Sequence, residues 1–170
     1  MATHAVSVSW AAQLDVLETL ALALDLESGT PKVTHQISTP AASGNMNATS
    51  SPAATQVVSD TRTLTAGADT IDLTAAPTRD GGTIDLSGLK VQAVKIVAKS
   101  TNTAVLIVKP GAANGYNLFG DADGQIAIPV GGQVLFVAPE GLADVAAADA
   151  EIDVASTDAD AIYSIILVAG

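Results

Sequence analysis

From residue 57 to the end of the chain, turn-forming residues interrupt the sequence about every 8–12 positions, the spacing of short antiparallel strands. Between these breaks the apolar residues alternate with polar ones. A period of two sends successive side chains to opposite faces of an extended strand, and no helix can satisfy it. Thr70-Ile71-Asp72-Leu73-Thr74 sets Ile71 and Leu73 on one face, and Asp80-Gly81-Gly82 then turns the chain. Ile84 and Leu86 alternate with Thr83 and Asp85. Residues 91–98 read as an apolar strand with Lys95 and Lys99 on its other face. Residues 104–108 are almost entirely apolar, which predicts burial on both sides. Asn114-Gly115 predicts a tight turn at positive φ. Ile126 and Ile128 share a face, Gly131-Gly132 turns, and residues 134–138 return. Residues 151–154 and 161–169 supply the last strands. The expected fold is all-β, an antiparallel β-sandwich of jelly-roll-like form. No helix-length amphipathic pattern follows residue 30, and no fixed period supports a solenoid or propeller.

The N-terminal part reads differently. In residues 20–27, Leu20, Leu22, Leu24 and Leu26 alternate with small or acidic residues, while Leu14, Leu17, Ala21 and Leu24 also fit a helical face. The strand reading is preferred. Ser28-Gly29-Thr30-Pro31 turns the chain and Val33, His35 and Ile37 alternate on the way back, as in a hairpin. Residues 38–55 are rich in Ser, Thr, Ala, Pro, Asn and Gly, with Met46 the one large apolar side chain, and read as a loop or extended arm. The expected organisation is therefore an N-terminal hairpin and arm over residues 1–56 and a β-sandwich domain over residues 57–170.

Composition narrows the function. The 170 residues suffice for one domain with a hydrophobic core and are short for two. Apolar residues make up 48% of the chain but aromatics only 3%, and ligand clefts are usually walled by aromatics. Charged residues are 15%, well below the usual quarter, so neighbours are expected to cover some of the surface. Acids outnumber bases 18 to 7; the net charge of −11 repels phosphate backbones and anionic membranes. No nucleic-acid, membrane or small-molecule partner is expected. Without cysteine there is neither a disulfide framework nor a thiolate site. No basic region followed by a long apolar run marks a secretory signal, and the early apolar stretch carries Asp15, Glu18 and Asp25, which bars it from spanning a bilayer.

Candidate chemistry is sparse. The histidines are His4, near the terminus, and His35, in an alternating strand where packing is the simpler role. No Gly-x-Ser-x-Gly elbow or phosphate-binding glycine loop is present. Asp80, Asp121 and Asp123 fall at turns, and Asp72, Asp85 and Asp153 at outward strand positions, where solvated charge belongs. Asp121-Ala122-Asp123-Gly124 begins like a calcium loop, but position 132 is Gly132 where a bidentate Glu is required. Asp149, Glu151 and Asp153, followed by Asp158 and Asp160, could gather calcium or simply charge an edge strand. No catalytic, cofactor-binding or metal residue is expected.

Several stretches resemble a family of small virion structural proteins of tailed bacteriophages. They are Ser59-Asp60-Thr61-Arg62-Thr63-Leu64, residues 67–74, residues 86–96, Asn114-Gly115-Tyr116-Asn117-Leu118-Phe119-Gly120 and the terminal Ile165-Ile166-Leu167-Val168-Ala169-Gly170. The resemblance covers residues 57–170 and, more weakly, the N-terminal hairpin. It implies a β-sandwich subunit on the capsid exterior, assembled in the host cytoplasm. The implied role is that of a non-enzymatic cement or decoration protein binding the major capsid protein and itself, with a homotrimer suiting three-fold positions. A head-fibre or tail-appendage protein for host recognition is the alternative, and scarce aromatics count against it. A carbohydrate-active sandwich enzyme would need two carboxylates converging in a cleft.

Overall fold

The computed structural model describes residues 7–12, 15–21, 32–38 and 42–170. It contains two compact units, Val8–Asn45 and Met46–Gly170. In the first, β1 (Ser7–Ala12) pairs with β4 (Ala42–Asn47), and β2 (Asp15–Ala21) runs antiparallel to β3 (Lys32–Ser38). Val33, His35 and Ile37, expected in a return strand, lie in β3 opposite Leu20, Glu18 and Val16. The partner strand is therefore residues 15–21, earlier than the leucine-rich run that suggested it. Residues 22–31, including the expected turn at 28–31, lie outside the described residues. The small-residue run at 38–55, expected as a loop or arm, contains β4. Ladder pairing uses backbone groups and does not require large side chains. Its end also joins the second unit: the Thr55 amide donates to the Ala169 carbonyl (2.9 Å), and Ala54 is buried.

The second unit is a sandwich of two four-stranded antiparallel sheets. Its eight principal strands are β5 (Gln56–Thr63), β6 (Ala68–Asp72), β9 (Val91–Ala98), β10 (Leu106–Pro110), β11 (Ile126–Ile128), β12 (Gln133–Val137), β13 (Glu151–Ala155) and β14 (Ile162–Ala169). The pairing is nested: β5 with β14, β6 with β13, β9 with β12, and β10 with β11. Added contacts between β9 and β14 and between β10 and β13 give the orders β12-β9-β14-β5 and β11-β10-β13-β6. First with last, second with next-to-last, and so inward is the connectivity of a jelly roll. A single 3-10 turn (Leu73–Ala75) and a minimal hairpin of β7 (Ala76–Pro77) and β8 (Thr83–Ile84) are inserted between β6 and β9.

Aliphatic side chains from both sheets meet between them. Val94, Ile96, Ile165 and Leu167 from one layer face Ile71, Leu106, Val108, Ile152 and Val154 from the other, all buried. Tyr116 fills one end and donates its hydroxyl to the Ala143 carbonyl at 2.6 Å. Strand β10 departs from expectation. Leu106 and Val108 are buried, but Ile107 is half-buried and Val105, just before the strand, is 46% exposed. With only two layers, each sheet keeps a solvent face however apolar its sequence.

Asn114-Gly115 does not form the expected positive-φ hairpin turn, since neither residue has positive φ. The Asn114 carbonyl instead accepts from the amides of Ala150 and Glu151 (2.8 and 2.7 Å), within the connection from β10 to β11. Glycine serves close approach there: a Cβ on Gly115 would stand 2.5 Å from the Gly111 carbonyl oxygen. The positive-φ corner lies at Ala66 (φ 53°) and Gly67 (φ 80°), which carry the chain from β5 to β6. Both central residues of this tight turn are left-handed, a conformation that Ala tolerates poorly.

Two stability tests follow from this packing. Ile152→Ala should cost about 2–5 kcal/mol by opening a cavity between the sheets, read as a lower urea midpoint at unchanged slope. Ala66→Asn should stabilise by roughly 0.5–1 kcal/mol, while Gly67→Ala should destabilise, its new Cβ meeting the Ser156 carbonyl oxygen at 2.5 Å.

Candidate functional site

Strand register assigns each residue of the sandwich to an inner or outer row. In β12-β9-β14-β5 the inner rows are Phe136–Val94–Leu167–Val58, Val134–Ile96–Ile165–Asp60 and Ala98–Tyr163–Arg62. The outer rows are Val137–Ala93–Val168–Val57, Leu135–Lys95–Ile166–Ser59 and Gln133–Val97–Ser164–Thr61. Lys95 is the only charge in these outer rows. Leu135 and Ile166 flank it and are 44% and 42% exposed, so the centre of this face presents branched aliphatic surface to solvent. Toward β5 the face becomes hydroxylic, with Thr61 and Ser164 sharing a hydrogen bond of 2.9 Å.

The other sheet is built oppositely. Its outer rows are Ala127–Ile107–Ala155–Ala68, Lys109–Asp153–Thr70 and Glu151–Asp72. The Thr70 hydroxyl donates to Asp153 Oδ1 at 2.7 Å. One outer face is thus apolar around a single cation, and the other carries three carboxylates and Lys109.

The acidic residues singled out in the sequence do not assemble into a site. Glu151 and Asp153 both stand on the outer face of β13, and among the described residues no three metal-ligating side chains converge. Asp121 accepts the Asp123 amide within its own turn. Asp80 and Asp85, both exposed, and the half-buried Asp158 sit below the usual carboxylate range. The causes are local: the Thr78 hydroxyl at Asp80, Ser87 at Asp85 and the Thr103 amide at Asp158. His35 lies in β3, in register with Glu18, and His4 lies outside the described residues. A cavity of about 240 Å³ opens beside Lys109, Pro110, Gly111, Ala112, Ala122 and Asp123, a lining without a nucleophile and base in partnership. Phe119 and Phe136 stack edge to face at 6.5 Å, and Phe119 packs against the core.

One cluster went unread in the sequence. Arg62, on an inner row of β5, reaches Asp69, on an inner row of β6 in the opposite sheet. Arg62 Nε and Nη2 donate to Asp69 Oδ2 and Oδ1 at 2.5 and 2.7 Å, and the Tyr163 hydroxyl donates to Oδ2 at 2.7 Å. Asp60 Oδ2 stands 3.6 Å from Arg62 Nη1. Burial pushes the Asp69 carboxyl upward, but hydrogen bonds from Arg62 and Tyr163 outweigh it and hold the group below its usual range. Burial, reinforced by the Asp69 acceptor, drives the Tyr163 hydroxyl well above the ordinary phenol range. Arg62 is likewise raised by its bond to Asp69. Each group's pKa is moved further from pH 7, the reverse of what proton transfer at physiological pH requires. The arrangement is a clasp between sheets. Its sequence signal was the parity of β5, where Val58, Asp60 and Arg62 share the inward frame and Ser59, Thr61 and Thr63 the outward one.

These features define an all-β protein with an antiparallel jelly-roll sandwich, clasped at one end and divided into a polar and an apolar outer face. No family model, no curated protein and no solved structure matches the chain.

The clasp sets a pH dependence. A carboxyl held below its unfolded value stabilises the fold fully above about pH 4 and loses that contribution as pH falls through its folded value. Asp69→Asn should cost roughly 1–3 kcal/mol at pH 7 and flatten the loss of stability between pH 5 and pH 2. Urea midpoints across that range, compared with wild type, read the effect. Parallel curves would assign the acid sensitivity to other groups.

Proposed function

We propose that this chain is a non-enzymatic structural subunit of a tailed-bacteriophage virion, a cement or decoration protein on the capsid exterior that binds the major capsid protein and further copies of itself. The observation that carries the reading is the asymmetry of the sandwich. A polar, acidic face suits solvent, whereas an aliphatic face with one charge suits burial against another protein surface. The low charge content and scarce aromatics fit an adhesive subunit better than a cleft enzyme or a glycan reader. The clasp and the aliphatic core would supply the rigidity that a shell-stabilising part needs. The resemblance of residues 57–170 to small phage virion proteins supports the same reading.

The test is location and stoichiometry. Antibody against the chain should label the outside of intact, purified phage particles from the source culture, and quantitative mass spectrometry should return a fixed copy number relative to the major shell protein. A chain recovered only from the free soluble fraction, absent from particles, would overturn the proposal.

A further inference from the structure

We propose that the outer face of β12-β9-β14-β5 is the interface between copies of this chain, each burying Leu135, Ile166, Val97 and Val137 against the other. The inference rests on the structural-subunit reading above and names its self-contact surface.

Two observations converge on a second copy as the occupant. The first is charge. With a net charge of −11, two copies repel one another over most of their surface. The opposite sheet would set Asp72, Glu151 and Asp153 against their counterparts. The β12-β9-β14-β5 face carries no carboxylate in its outer rows, so it is where identical chains approach without that penalty. The second is shape. Val97, Leu135, Val137 and Ile166 lie in alternating rows, the corrugation that lets sheets interdigitate at about 10 Å when packed face to face. Lys95 is half-buried among them, and its long stem can lie along the apolar surface with the ammonium at the rim.

The experiment is sedimentation velocity and light scattering of the full chain from about 1 to 100 μM, a range spanning ordinary self-association constants. Wild type should run as a dimer or larger closed oligomer. Ile166→Lys and Leu135→Lys, each at an already exposed position, should raise the dissociation constant roughly a hundredfold or more while leaving the urea midpoint unchanged. Ala127→Lys on the opposite outer face should leave the mass unaltered. A wild-type monomer throughout the range would overturn the proposal, as would an oligomer that both lysine variants preserve. Particle labelling separates this from the broader reading. A monomer that still decorates particles, and is released by Ile166→Lys, would assign the face to the shell protein and overturn self-contact alone. Absence from particles would overturn the structural-subunit reading itself.

Discussion

A β-sheet in a two-layer sandwich packs only one of its faces against the other sheet, and the alternation through the middle of β9 and β14 makes the other face a matter of chemistry. Their inner residues, Val94, Ile96, Tyr163, Ile165 and Leu167, are buried between the sheets. Everything else in the second unit is arranged around that layer. Strand β14 is central in its sheet and last in the chain, hydrogen-bonded to both β5 and β9. The roll therefore closes only when the final residues dock, so long-range pairing rather than local preference governs formation of the core.

The clasp of Arg62, Asp69 and Tyr163 joins β5 and β14 of one sheet to β6 of the other. An inward arginine at an apolar interface would be costly alone. Bidentate pairing with Asp69, to which the tyrosine hydroxyl also donates, sets the two charges against each other. The adjoining Ala66–Gly67 corner brings β5 and β6 across from one sheet to the other, so clasp and corner together fix the register of the two edge strands.

The faces left outside the core divide the surface by chemistry. Carboxylates collect on β6 and β13, while aliphatic side chains collect on β9, β12 and β14. The perturbed titratable groups lie in turns, in the clasp or, in the case of Tyr116, in the core beside the Ala143 carbonyl, and none of these arrangements forms a reactive cleft. The surface, rather than a pocket, is thus where the functional reading rests.

Much of the sandwich was legible in the sequence because a period of two survives any tertiary context. The frames of residues 57–64, 91–98, 126–128, 134–138, 151–154 and 161–169 correspond to β5, β9, β11, β12, β13 and β14. Asn114-Gly115 misled because its backbone is recruited by Glu151, a partner 36 or 37 residues away along the chain. Residues 104–108 misled because apolarity alone does not state how many layers surround a strand. The small-residue run at 42–47 hid a strand because ladder hydrogen bonds leave no side-chain pattern. By itself the sequence determined the all-β class, most strand frames and the scarcity of charge, since these follow from side-chain period and composition. Only the tertiary structure decided the nested strand order, the Arg62–Asp69–Tyr163 clasp and which outer face is apolar, because each depends on pairing between residues that local chemistry cannot bring together.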